Sequence, residues 1–174
     1  MNLANLLKDA IGSMLNRDLS ALRREVEAYA DEADLWRAVP GTTNSAGTLV
    51  LHLAGNLQHY LGARLGHTGY IRDRPAEFSR RSVPRAELLR EIEAARDAVN
   101  AGLRGLGESE LAAKFPETIA EARITTGEYL MHLTTHFAYH LGQIDYHRRV
   151  VTGRDTAIGA MRPEELSSAK PAVS

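Results

Sequence analysis

The sequence predicts an all-α protein, a four-helix bundle with long connections between helices two and three and between helices three and four. Three observations carry that expectation. Four segments place apolar residues at three- and four-residue steps, no segment alternates as a strand does, and no internal repeat divides the chain. At 174 residues, with 44% hydrophobic and 25% charged side chains, the chain has the length and composition of one globular domain. That domain is expected over residues 1–160, followed by a small, polar tail over 161–174 that frays.

The first helix is expected over about 3–39, where Leu15, Leu19, Leu22, Val26 and Tyr29 recur at helical steps. Pro40-Gly41 stops it, and Trp36 anchors the turn. A polar connection follows, in which Asn44 or Ser45 caps a second helix over 48–65. Gly55 and Gly62 are costly inside that helix and point to close contact with a neighbour. Residues 70–81 read as a charged loop. The third helix starts with Pro84 in its first turn and runs to about residue 105 on Leu88, Ile92, Ala95, Val99 and Leu103. Residues 108–113 make one helical turn, and the stretch to 124 reads as loop. Thr125-Thr126-Gly127-Glu128 is a capping box that opens a fourth helix over 126–151, closed by Gly153.

Charge and composition exclude several functions. With 21 Lys+Arg against 22 Asp+Glu the net charge is −1, which speaks against gripping a nucleic-acid backbone or a membrane surface. The arginines at 72, 74, 80, 81, 85 and 90 are interrupted by Asp73, Glu77, Glu87 and Glu91, so they read as a solvated charged surface. The alternative is a grip for a carboxylate-bearing cosubstrate. Cysteine is absent, which removes disulfides, thiolate zinc sites, iron–sulfur clusters and cysteine nucleophiles. No stretch reaches the ~20 apolar residues of a membrane span. The first nine residues lack the features of a secretory signal, so a cytoplasmic location is expected.

Any metal must therefore be held by nitrogen and oxygen, and the chain has seven histidines. On the fourth helix His132, His136, His140 and His147 fall within an arc of roughly 80°, beside the apolar stripe of Leu130, Leu133, Phe137, Leu141 and Ile144. His136 and His140 stand one turn apart, the spacing that lets two imidazoles ligate one ion. His52 on the second helix, on one arc with Leu49, Asn56 and Tyr60, is the natural third ligand. Three neutral imidazoles leave an ion its charge and an open position, the pattern of a catalytic site. Their ligating nitrogens are expected within ~4 Å of one another. His59, His67 and His147 read as boundary or core residues. The Glu that follows the first His in metalloproteases is absent, since Phe137 follows His136.

Residues 44–57, with His52-Leu53-Ala54-Gly55-Asn56 at their centre, and residues 132–144, ending His136-Phe137-Ala138-Tyr139-His140-Leu141-Gly142-Gln143-Ile144, resemble the DinB/YfiT-like superfamily of bacterial metalloenzymes. The resemblance runs from the first helix to about residue 153. Arg74-Pro75-Ala76-Glu77-Phe78 resembles one little-characterised branch. It implies a four-helix bundle holding one divalent metal through His52, His136 and His140, zinc or nickel before manganese. It also implies thiol S-transferase chemistry with a low-molecular-weight thiol, a small-molecule substrate, and a homodimer. His132 is not one of the family's ligands and is taken as a wall of the pocket.

Gln143 and Asn56 lie near the arcs and either orient a ligand or tie helices together. Leu51 and Leu65, apolar beside the inward arc, add to the expectation of a homodimer. Three readings stand: a metal-dependent transferase or hydrolase, a non-catalytic metal- or ligand-binding bundle, and a structural bundle whose histidines are incidental.

Overall fold

The computed structural model describes residues 2–171, and among them the architecture is all-helical with no strand. Four long helices form the body. Helix α1 spans Leu3–Glu27, α2 Ala46–Leu57, α4 Arg85–Arg104 and α6 Thr126–Thr152, with short helices α3 at Arg74–Ser79 and α5 at Glu108–Ala112. Both α1 and α2 pack against α4 and against α6. The core between them is aliphatic, with Ile11, Leu15, Leu22, Leu53, Leu61 and Leu88 among its fully buried members.

The first helix stops earlier than periodicity suggests. It ends at Glu27, and a 3-10 helix follows over Glu32–Trp36, started by the Asp31 side chain accepting from the Ala33 N–H at 2.9 Å. Asp31, Glu32 and Asp34 would sit at the negative end of a longer α1, whereas an Asp at a new N-cap is favourable. Trp36 packs over Gly47, where an added Cβ would lie 2.7 Å from the indole ring. Ser45, rather than Asn44, caps α2.

Beyond Leu57 the second helix widens into π-helical turns over Gln58–Leu65. The close contact expected at Gly62 is present, since its Cβ would lie 2.9 Å from that of Ala98 on α4. Gly102 of α4 meets the same segment, with only 2.4 Å between a built Cβ and the Leu61 carbonyl oxygen. Two helices that approach backbone to backbone there admit no side chain.

The stretch over 70–81 is not all loop, because α3 lies within it. Asp73 caps that helix by accepting from the Ala76 N–H at 3.0 Å, and Pro75 sits in its first turn. Residues 113–125 double back, with the Phe115 N–H donating to the Ile124 carbonyl at 2.8 Å and positive φ at Ala120 and Glu121 in the turn. Helix α6 runs from its Thr125 cap to Gly153 at φ 66°.

The segment expected to fray lies along α1: the Ser167 N–H donates to Ser13 Oγ at 2.7 Å, and Glu165 pairs with Arg24 at 3.2 Å. Its last three residues are outside the described ones. Leu51 is covered within a single chain, so it no longer argues for a second copy. No helix among the described residues is long and apolar enough to cross a membrane.

Candidate metal centre

Helices α2 and α6 bring His52, His136 and His140 together. One ligating nitrogen from each lies within 4.8 Å of the other two, somewhat wider than the ~4 Å expected. Nε2 of His52 stands 3.4 Å from Nε2 of His136. Two ligands of a tetrahedral ion at ~2.0–2.1 Å are about 3.3 Å apart, so this pair already has the required separation. The three rings are nearly perpendicular to one another, at 80°, 86° and 86°. Nitrogens thus converge on one point while the ring faces stay apart.

What lies behind the rings decides which nitrogen is free. Nδ1 of His52 donates to Glu77 Oε2 at 3.0 Å, which leaves a lone pair on the Nε2 that faces the centre. Arg72 grips the same carboxylate with two bonds, Nε to Oε1 at 2.6 Å and Nη2 to Oε2 at 2.9 Å. Burial pushes the Glu77 carboxyl up, but the bonds from His52 and Arg72 and the guanidinium charge outweigh it, and the net shift is downward. Glu77 stays an anion, able to accept the His52 proton. Gly55 makes room for it: an added Cβ would sit 2.3 Å from Glu77 Oε1. The Phe78 ring closes the other side of His52 at a centroid distance of 4.9 Å.

His140 is oriented in the same way, its Nδ1 2.6 Å from Gln143 Oε1, which frees Nε2. Burial, and then the neighbouring His140, His52, His132 and Arg72, push His136 down to about 4. Burial lowers His140 as well, against the Gln143 bond that raises it. Both are neutral at pH 7, the form in which imidazole ligates.

The other histidines are used differently. His132 is exposed, stacked between Tyr129 at 5.7 Å and His136 at 6.0 Å, and forms a wall beside the triad. His59 pairs with Glu117 at 2.9 Å, and His67 is exposed in a loop. His147 is buried between Tyr29 and the Arg37 carbonyl. Asn56 is buried one turn beyond His52.

Four of the six arginines over 72–90 have separate tasks, which speaks against the alternative of a common anion grip. Arg72 holds Glu77, Arg74 lies over the Phe78 ring, Arg80 pairs with Glu87, and Arg85 donates to the Tyr29 carbonyl. Sequence reasoning missed Glu77, although Asp73 as a cap before Pro75 was a readable signal that a helix stands there.

The donor set fits a divalent ion. Three imidazole nitrogens suit zinc, copper, iron or nickel, and a hydrogen-bonded second nitrogen on two of them is the support metal-ligating histidines need. A cavity of about 420 Å³ opens beside His140 and Gln143, between the loop over 39–44 and α6. A larger groove of about 930 Å³ between α1 and α4 contains none of the triad.

The family model of the DinB superfamily matches residues 14–144, a span that includes all three histidines, Glu77 and Gln143. The chain belongs to the DinB superfamily. No curated protein and no solved structure matches it. Membership of the DinB superfamily and a convergent His triad are thus two separate observations that meet at one place.

Proposed function

We propose that this chain is a metal-dependent enzyme on a four-helix bundle, binding one divalent ion through His52, His136 and His140 and catalysing thiol S-transfer to a small molecule. The observation supporting it is the convergence of three ring nitrogens, with Glu77 and Gln143 occupying the opposite nitrogens of His52 and His140. An ion so held supplies Lewis acidity, by which a coordinated thiol or water loses its proton near neutral pH. The chain's own residues do the rest: Glu77 fixes the His52 tautomer, Arg72 keeps Glu77 ionised, and Phe78 keeps water from the back of His52. The chain has no cysteine, so the sulfur arrives with a low-molecular-weight thiol. Zinc or nickel is the favoured metal, and manganese suits an all-nitrogen set less well.

The test is elemental analysis of untagged protein beside a His52→Ala variant, followed by thiol consumption with added electrophiles. One ion per chain, lost in the variant, with metal-dependent thiol consumption is the expected result. Metal without thiol consumption favours a hydrolase or a non-catalytic binding protein, and absence of metal uptake removes the proposal. A homodimer belongs to the same proposal, and light scattering that returns a monomer at micromolar concentration would remove it.

A further inference from the structure

The cavity beside the triad has a chemical character of its own. Its walls are Leu49, Val150 and the rings of Tyr139 and Tyr146, with the uncharged Thr42, Thr43 and Asn44, and no Lys, Arg, Asp or Glu lines it. At about 420 Å³ it lies toward the small end of the ~300–1,000 Å³ typical of small-molecule sites. The cations on flanking segments are already engaged, Arg37 with Asp34 at 2.5 Å and Arg149 with Asp145 at 2.9 Å. Apart from an ion held at the triad, an anion entering the cavity would shed water without meeting a side-chain counter-charge.

His147 also lines the cavity, but both its nitrogens are taken, one by Tyr29 and one by the Arg37 carbonyl. Gln143 is exposed on the cavity wall, and its Oε1 is committed to His140. The Gln143 amide N–H groups are thus donors next to His140, while the Thr43, Tyr139 and Tyr146 hydroxyls and the Asn44 amide lie along the rest of the wall.

We infer that this cavity binds an uncharged small molecule with an apolar body and one hydrogen-bond acceptor, which Gln143 meets next to His140. The inference rests on the proposed function for its meaning, because it identifies the neutral partner with which the thiol reacts. The ligand's aromatic or aliphatic body lies between Tyr139, Tyr146 and Val150, and its acceptor end lies toward the triad.

The experiment uses 2-naphthalenemethanol and 2-naphthoate, a neutral and an anionic probe on one ring system, titrated into metal-free protein and followed by amide chemical shifts. Working without metal prevents the carboxylate from binding an ion. The neutral probe is expected to bind at least tenfold tighter, with shifts at residues 42–44 and 139–150. Val150→Lys places a cation at an exposed position of the wall, 62% accessible, and is expected to narrow the ratio at least fivefold by gaining naphthoate. Equal or tighter binding of naphthoate to the unaltered protein overturns the inference. So does a ratio that Val150→Lys leaves unchanged, or an absence of shifts with either probe. Zinc uptake is measured separately: its failure with the probe preference intact sinks the metal reading and leaves the cavity assignment standing.

Discussion

His147 spends both ring nitrogens on the fold, accepting from the Tyr29 hydroxyl at 2.8 Å and donating to the Arg37 carbonyl at 2.9 Å. His140, seven residues earlier on the same helix, spends one on Gln143 and turns the other toward His52 and His136. The surroundings of the two differ in kind. Beside His147 lies a buried ion pair, Arg148 with Glu25 at 2.5 Å, which ties α6 to α1. Around His140 the charges stand one step back, with the Glu77 and Arg72 pair gripping the far side of His52. Helical phase cannot separate the two histidines, because they share one arc. The count of satisfied nitrogens does separate these two: both nitrogens of His147 are bonded, and His140 keeps Nε2 free.

The largest expected effect crosses that comparison directly. His52→Ala or His136→Ala takes metal content from one ion per chain to near none, whereas His147→Ala leaves it unchanged, as read by elemental analysis after dialysis. Retention of metal by both ligand variants would dissolve the distinction.

Stability is expected to respond in the opposite sense. His147→Ala leaves the Tyr29 hydroxyl and the Arg37 carbonyl without their partner, a cost of about 2–4 kcal/mol in urea unfolding. His140→Ala in metal-free protein should cost less, since its removal exposes only Gln143. Equal losses would mean that both histidines hold the fold.

Glu77→Gln is next in size. It weakens the charge-assisted bond to His52 and strips Arg72 of its counter-charge, so metal affinity should fall roughly 10–100-fold while far-UV circular dichroism is unchanged. Gly55→Ala should act in the same direction by pushing Glu77 out of place. An affinity within threefold of the unaltered protein would show that Glu77 does not position His52.

These variants also mark what was legible in the sequence. The triad was legible because ligand spacing on a helix is local: His136 and His140 announce themselves, and His52 shares an arc with residues that must face a neighbour. The Thr125 cap and the Gly153 stop of α6 were legible for the same reason. Glu77 was not, because its role depends on a contact 25 residues away from His52 and on a short helix whose six residues carry little periodicity. The break after Glu27 was hidden too, since Tyr29 and Leu35 continue the apolar pattern across it and both are buried. Only the acidic cluster at 31–34 argued for a new start.

The smallest effect is in the pH dependence of the metal-free protein. Burial lowers His136 to about 4, and lowers His140 and His147 as well. Unfolded, all three titrate near ~6.5. Below that value the unfolded chain binds more protons, so these groups contribute stability that is present above pH 6.5 and lost on acidification toward 4. Glu25 acts in the opposite sense. Burial pushes its carboxyl up to about 7 against the pull of Arg148, so its contribution is present below the unfolded value of 4.5 and lost as pH rises through 7. Between 4.5 and 6.5 the two kinds of group partly cancel, and the metal-free protein should have a shallow slope with stability still rising with pH. His136→Gln removes one proton from that balance and should flatten the slope by at most about 1.4 kcal/mol per pH unit. Glu25→Gln should steepen it. Urea unfolding at pH 5, 6, 7 and 8 measures both, and stability that rises on acidification from 7 to 5 would mean the triad is not held neutral. Zinc should steepen the slope further, because protons then compete with an ion for three nitrogens. If the stabilisation by zinc is as large at pH 5 as at pH 8, carboxylates and not these imidazoles hold the metal.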